Sequence, residues 1–129
     1  MNENIKNLPG LVLIADDDKA TRTVLRRYLS AEVCCVLEAA DGEDAVRLAR
    51  AHRPDVVLLD IAMPKKDGLE VLTELAPELR DTAFIIITGN EDEKVARECL
   101  ESGAFDYITK PVDMCVLGHV IRAWLCRGK

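Results

Sequence analysis

The sequence lacks any apolar run approaching the ~20 residues of a membrane-spanning helix, and its opening MNENIKNLPG has no basic stretch followed by an apolar one. This reads as a cytoplasmic chain with no membrane partner. Clustered Lys and Arg are also missing, and the net charge is −6. Phosphate backbones demand clustered cations, so direct nucleic-acid binding by these residues is disfavoured, and an attached partner or domain would have to supply it. The five cysteines, Cys34, Cys35, Cys99, Cys115 and Cys126, contain no CxxC pair and are odd in number. Neither a zinc site nor a disulfide framework is indicated. They read as small buried hydrophobes in a reducing compartment, with Cys34 and Cys35 on opposite faces of a strand. His52 and His119 are isolated and read as surface or helix-flank residues. Linkers and low-complexity tracts are absent too. The expected organisation is a lead-in over 1–10, one domain over 11–127 and a tail over 128–129.

Hydrophobic residues make up 49% of the chain and charged residues 31%, enough apolar surface for a core. Short apolar runs recur at Leu11–Ala15, Val33–Glu38, Asp55–Leu59, Ala83–Thr88 and Phe105–Thr109. Near-continuous runs of this kind suit strands covered on both faces. Helical patterns lie between and after them. The expected packing faces are Val24, Leu25, Tyr28 and Leu29 in Asp18–Ser30; Ala45, Val46, Leu48 and Ala49 in Asp41–His52; Leu69, Val71, Leu72 and Leu75 in Gly68–Leu79; Val95, Ala96, Cys99 and Leu100 in Glu91–Ser102; and Val116, Val120, Ile121, Trp124 and Leu125 in Val112–Arg127. Pro77 is expected to end or distort the third helix, Gly103 to cap the fourth, and Gly118 to weaken the fifth by ~1 kcal/mol relative to Ala. Five β-α units in succession predict an α/β fold with a five-stranded parallel sheet and helices on both faces.

Notable polar residues then fall just past the C-terminal ends of four strands: Asp16 and Asp17, Asp60, Thr88, and Lys110 before Pro111. Open parallel sheets bind ligands at that edge. Three carboxylates gathered in one crevice repel each other, and a divalent cation such as Mg²⁺ relieves the repulsion. A carboxylate beside Mg²⁺ and a lysine has the environment of a nucleophile toward phosphorus, forming an acyl phosphate. Singly, each residue has an ordinary explanation. Asp16, Asp17 and Asp18 fit a turn or a helix N-cap, Asp60 a turn before Met63-Pro64, Thr88 a strand position and Lys110 a solvated lysine. Their joint placement at one edge of one sheet is the stronger signal.

LVLIADDDKATR, PDVVLLDIAMPKKDG, FIIITGNED and GAFDYITKPVD, in that order and spacing, resemble the bacterial response-regulator receiver domain of two-component signalling over roughly Leu11 to Trp124. The resemblance implies a flavodoxin-like fold with strand order 2-1-3-4-5. It implies that Asp60 is the phosphoacceptor, taking a phosphoryl group from a histidine kinase or histidine phosphotransfer protein. Asp16 and Asp17, with Asp60 and the backbone carbonyl of Ala62, would hold Mg²⁺ (or Mn²⁺). Thr88 and Tyr107 would be the switch residues and Lys110 the partner of the phosphoryl group, with a cis bond to Pro111. The family is a phosphoacceptor switch rather than an enzyme with its own substrate. It assists its own phosphorylation and dephosphorylation, changes the surface of the fourth helix, fifth strand and fifth helix, and acts through an output partner, a fused effector or a phosphorylation-dependent homodimer.

Some positions depart from the commonest family pattern. Gly89 stands where Ala or Ser is usual, Lys66 where Met is frequent and Val112 where Phe is frequent. Ala62 and Asn90 occupy positions that tune phosphoryl lifetime in the family, and Ala62 offers no side chain to position an attacking water. Lys65 and Lys66 read as a solvated loop. Three other readings compete. An aspartate-nucleophile phosphohydrolase would carry a second acid two residues after its nucleophile, where this chain has Ala62. A flavin-binding electron carrier would need a hydroxyl- and glycine-rich first loop, where this chain has three aspartates. A phosphorylation-independent docking module would have no use for the complete acidic site.

Overall fold

The computed structural model describes residues 8–31, 33–89 and 93–127. In chain order they form β1 (Leu8–Ala15), α1 (Lys19–Ser30), β2 (Val33–Ala39), α2 (Gly42–His52), β3 (Val56–Leu59), α3 (Gly68–Leu75), β4 (Ala83–Thr88), α4 (Glu93–Glu101), β5 (Asp106–Thr109) and α5 (Met114–Leu125). The five strands make one sheet in the order β2-β1-β3-β4-β5, every neighbouring pair parallel. The order reverses between β1 and β3, which opens a crevice at their C-terminal ends.

Two-residue alternation along the strands divides the core in two. Leu13, Ala15, Val57, Leu59, Phe84 and Ile86 face Ala45, Ala49, Val71, Leu72, Leu75 and Cys99 of α2, α3 and α4. Val12, Ile14, Val56, Leu58, Ile85 and Ile87 face Leu25, Leu29, Leu117 and Ile121 of α1 and α5. Every residue of β3 and β4 is buried, which explains why these runs are apolar without alternation. Aspartates begin four of the helices. Asp18, Asp41, Asp67 and Asp113 each accept backbone N–H groups of the first turn, a contribution of about 1 kcal/mol per cap.

Several sequence expectations are corrected. β1 begins at Leu8, so the strand reaches into the segment read as lead-in. α3 stops at Leu75, because Pro77 follows the Ala76 cap and cannot continue the ladder. Residues 91 and 92, expected to open the fourth helix, lie outside the described residues. The helix faces are narrower than expected. Val24, Leu100 and Val116 are exposed, while the buried pairs are Leu25 with Leu29 and Leu117 with Ile121, each four residues apart on one stripe. Among the described cysteine side chains, Cys99 is buried, Cys126 half-buried, and Cys35 and Cys115 exposed. Burial pushes the Cys99 thiol up, away from thiolate chemistry. The side chain of Cys34 lies outside the described set. His52 and His119 are exposed.

Besides its low helix propensity, Gly118 provides clearance for α1. A Cβ at that position would stand 2.4 Å from Tyr28 Oη and 3.6 Å from Tyr28 Cζ. Gly118→Ala is therefore expected to forfeit the ~1 kcal/mol that Ala gains in an ordinary helix interior and to leave the protein no more stable in denaturant unfolding. Tyr28→Phe on the Gly118→Ala background removes the colliding oxygen. The double-mutant cycle is expected to show favourable coupling of about 1 kcal/mol.

Candidate functional site

The site is built by carrying the sheet one residue further at three of its strands. Asp16 N–H donates to the carbonyl of Ala39 on β2 at 3.1 Å, Asp60 N–H to that of Ala15 on β1 at 2.9 Å, and Lys110 N–H to that of Thr88 on β4 at 2.8 Å. Each polar residue is thus the first step beyond a strand, held by the neighbouring strand's last carbonyl. Residues 94 positions apart in sequence meet as a result: Lys110 Nζ lies 2.9 Å from Asp16 Oδ2 and 3.3 Å from Asp60 Oδ2. Carboxylate oxygens of Asp16, Asp17 and Asp60 all lie within 4.8 Å of one another. Asp16 is 2% exposed and Asp60 7% exposed, whereas Asp17 faces solvent at the mouth of the crevice.

The electrostatics follow from this packing. Burial, then the neighbouring Asp16 charge, raises the Asp60 carboxyl above its ordinary value, against the pull of Lys110 and of hydrogen bonds that include the Ala62 backbone. Burial works against the Lys110 charge, but hydrogen bonds and attraction from Asp16 and Asp60 outweigh it and raise the ammonium above the usual lysine value. Among the described residues, Lys110 thus pairs with two of the three carboxylates and leaves Asp17 without a cation paired to it. A cluster of hard oxygen donors with a charge deficit is what Mg²⁺ or Mn²⁺ takes, and all three acids fit that donor set.

The other sequence-predicted residues stand around this centre. Thr88 ends β4, is buried, and pairs in register with Thr109, the residue before Lys110. Tyr107 lies on β5 opposite Ile86 and is packed, half-buried, against the core face of α2, α3 and α4. The Lys110–Pro111 peptide bond is cis. Ala62 is exposed on the loop after β3. At Gly89 a Cβ would meet nothing within 4 Å, so the position has room for a side chain. Asn90 lies outside the described residues.

The loop after Asp60 is less free than the sequence suggests. Lys66 pairs with Glu74, while Lys65 lies 3.6 Å from Asp41 and remains solvent-exposed. Two glycines that motif reasoning passed over clamp this loop from either side. A Cβ at Gly42 would come within 1.8 Å of the Lys66 carbonyl, and one at Gly68 within 2.2 Å of the Asp60 carbonyl. Both follow a capping aspartate, and the repeated Asp-Gly step at 41–42 and 67–68 was the available signal.

Comparison with known proteins gives a consistent picture. The family model described as Response regulator receiver domain matches residues 12–122. The Transcriptional regulatory protein AfsQ1 of Streptomyces coelicolor is 42% identical over 122 residues, which cover 95% of this chain and 53% of that protein. The Response regulator MprA of Mycolicibacterium vanbaalenii is 38% identical, covering 93% of this chain and 52% of its own length. The chain thus spans about half the length of these curated relatives. Among solved structures, a chain of the CheX-CheY-BeF3-Mg+2 complex from Borrelia burgdorferi superposes with TM-score 0.82 at 33% identity, covering 88% of this chain and 87% of that one. The Francisella response regulator 1452 receiver domain superposes with TM-score 0.84 at 30% identity, covering 93% and 99%.

Proposed function

The chain belongs to the response-regulator receiver domain family of two-component systems, and from that premise we propose that it is a switch operated by transfer of a phosphoryl group to Asp60. The observation that carries this reading is the meeting of Asp16, Asp17 and Asp60 within 4.8 Å, with Lys110 bridging two of them. Asp16, Asp17, Asp60 and the Ala62 backbone carbonyl would hold Mg²⁺ or Mn²⁺. When bound, the ion supplies positive charge that offsets the phosphoryl oxygens.

The chain's own residues account for the rest. An Asp60 oxygen attacks the phosphorus of a phosphohistidine on a histidine kinase or phosphotransfer protein. The P–N bond breaks, imidazole leaves, and an aspartyl phosphate remains. Lys110 is already beside Asp60 and stays to neutralise the added oxygens. Phosphorylation adds about −1.5 to −2 of charge. The Thr88 hydroxyl turns toward it, Tyr107 moves into the space vacated, and the surface formed by α4, β5 and α5 changes for an output partner, a fused effector or a second copy. Water then slowly returns Asp60 to its free form, with Ala62 contributing no side chain to that step. No described helix is long and apolar enough to cross a membrane, and a cytoplasmic place for the chain is part of the same proposal. The neighbour solved with BeF3 and Mg²⁺ in its complex supports the same chemistry here.

Incubation with acetyl phosphate, read by intact mass, tests the proposal. One phosphoryl adduct is expected with Mg²⁺ and none after chelation with EDTA. A Mg²⁺-independent adduct, or no adduct together with no beryllofluoride binding, would refute it. Lys110→Ala is expected to keep labelling on Asp60 but to slow it about 100-fold, the scale of losing one charge-stabilising donor. It should also blunt the change at α4, β5 and α5. An undiminished rate would remove Lys110 from the mechanism.

A further inference from the structure

The guanidinium of Arg22 reaches from α1 into the turn that follows β1. Its Nη1 donates to the backbone carbonyl of Asp16 at 2.8 Å, and its Nε to Glu38 Oε1 at 3.0 Å. The side chain is only 15% exposed. Glu38 stands on β2 in register with Ile14, and its other oxygen accepts from Arg26 Nη1 at 2.8 Å. Glu38 thus lies between two arginines, and its single charge is shared by both. What Arg22 brings to the acidic crevice is a hydrogen bond in a fixed direction.

That bond completes a bracket around Asp17. On the near side, Asp16 N–H is held by the Ala39 carbonyl at 3.1 Å, and the Asp16 carbonyl by Arg22. On the far side, Asp18 N–H donates to Asp16 Oδ1 at 2.8 Å. The carbonyl that Arg22 grips belongs to the peptide unit joining Asp16 to Asp17, so its plane sets the Asp17 Cα and the direction of its side chain. Asp17 itself is exposed.

We propose that Arg22 is a positioning residue of the cation site, fixing the Asp16–Asp17 peptide so that the Asp17 carboxylate stands within reach of Asp16 and Asp60. This rests on the reading of those three acids as holders of a divalent cation. Outer partners that orient metal ligands carry about 10-fold to 100-fold in metal affinity. A lysine could not reproduce the contact, because only a planar fork serves Glu38 and the Asp16 carbonyl at once. Arg26 is the internal comparison: it shares Glu38, is half exposed, and among the described residues is seen paired with Glu38 rather than with the crevice.

The test is a Mg²⁺ titration followed by backbone amide NMR shifts of residues 15–18 and 60–62, beside thermal midpoints in EDTA. Wild type is expected to show saturable shifts, and Arg22→Ala to bind Mg²⁺ about 10-fold more weakly, while Arg26→Ala stays within about twofold of wild type. Arg22→Lys, which keeps the charge and serves if Arg22→Ala does not fold, is expected to bind several-fold more weakly. Wild-type affinity in either Arg22 variant would overturn the proposal. So would equal weakening in Arg26→Ala, which would mark general loosening of α1 against β2. If wild type itself shows no Mg²⁺-dependent shift, the underlying cation reading falls, and this inference with it.

Discussion

Asp60→Ala, incubated with Mg²⁺ and acetyl phosphate, is expected to gain no phosphoryl adduct at all under conditions that label the wild-type chain. Among the described residues, Asp16, Asp17 and Asp60 are the acids gathered at the crevice, and they are not equivalent. Asp16 is held by Lys110 on one oxygen and by Asp18 N–H on the other. Asp17 stands in solvent. Asp60 is buried and its carboxyl is raised by that burial and by Asp16. Equal labelling at another residue in Asp60→Ala would refute the assignment.

The same residue carries a second, opposite effect that a purely structural aspartate would not. A carboxyl whose folded value is raised binds protons more tightly in the folded chain than in the unfolded one. Its contribution favours folding below the ordinary carboxylate range and is lost as pH rises through the raised value. In EDTA at neutral pH, Asp60→Asn is therefore expected to unfold at a higher temperature than wild type, by a few degrees, since about 1 kcal/mol moves a domain of this size by roughly 4 °C. The advantage should shrink as the pH is lowered into the carboxylate range. It should shrink also on adding Mg²⁺, which stabilises the chain that binds it more tightly. A lower midpoint for Asp60→Asn in EDTA would mean that Asp60 is an ordinary satisfied acid rather than one held at a cost for chemistry.

The sheet and the acidic site were legible in the sequence for the same reason. A fully buried parallel strand leaves an uninterrupted apolar run, and the first polar residue after it marks the strand's C-terminal end. Asp16 and Asp60 each occupy that position, whereas Lys110 follows the partly exposed β5, whose Asp106 and Thr109 interrupt the run. What sequence could not supply was which side chain meets which across the layers. Val24 and Val116 are as apolar as their buried neighbours, yet they lie one helical step off the stripe that faces the sheet. Lys66 reads as solvated because Glu74, its partner, comes from another element. Arg22 is one of several charged residues on α1, and only the position of Glu38 on β2 and the Asp16 carbonyl distinguishes it. Gly118 reads only as a weakness in a helical pattern, and motif reasoning passes over Gly42 and Gly68, whereas each is a place where another chain segment comes too close for a Cβ.

Gly68 carries the second large effect, because its neighbour is the proposed acceptor, Asp60. A Cβ there would lie 2.2 Å from the Asp60 carbonyl oxygen, and 2.8 Å from both the Asp60 carbonyl carbon and Ile61 Cα. All three are backbone atoms, with no rotamer by which to yield. The α3 terminus cannot retreat freely either. Gly68 N–H donates to the Ile61 carbonyl at 2.8 Å, and the reciprocal Asp67–Glu70 cap fixes the first turn. Either that hydrogen bond breaks or the end of β3 moves. Overpacking ordinarily costs about 1–3 kcal/mol, and a collision with backbone belongs at or above the upper end. Gly68→Ala is thus expected to lose about 3 kcal/mol in denaturant unfolding. It is also expected to slow labelling by acetyl phosphate about 100-fold in the fraction that remains folded, the scale of a misplacement near 1 Å. Gly89→Ala, whose Cβ would meet nothing within 4 Å, is expected to leave folding stability unchanged. A Gly68→Ala chain as stable as Gly89→Ala would mean that the loop behind Asp60 is free to move aside. The acceptor would then be positioned by β3 alone rather than by the grip of α3 on the residue that follows it.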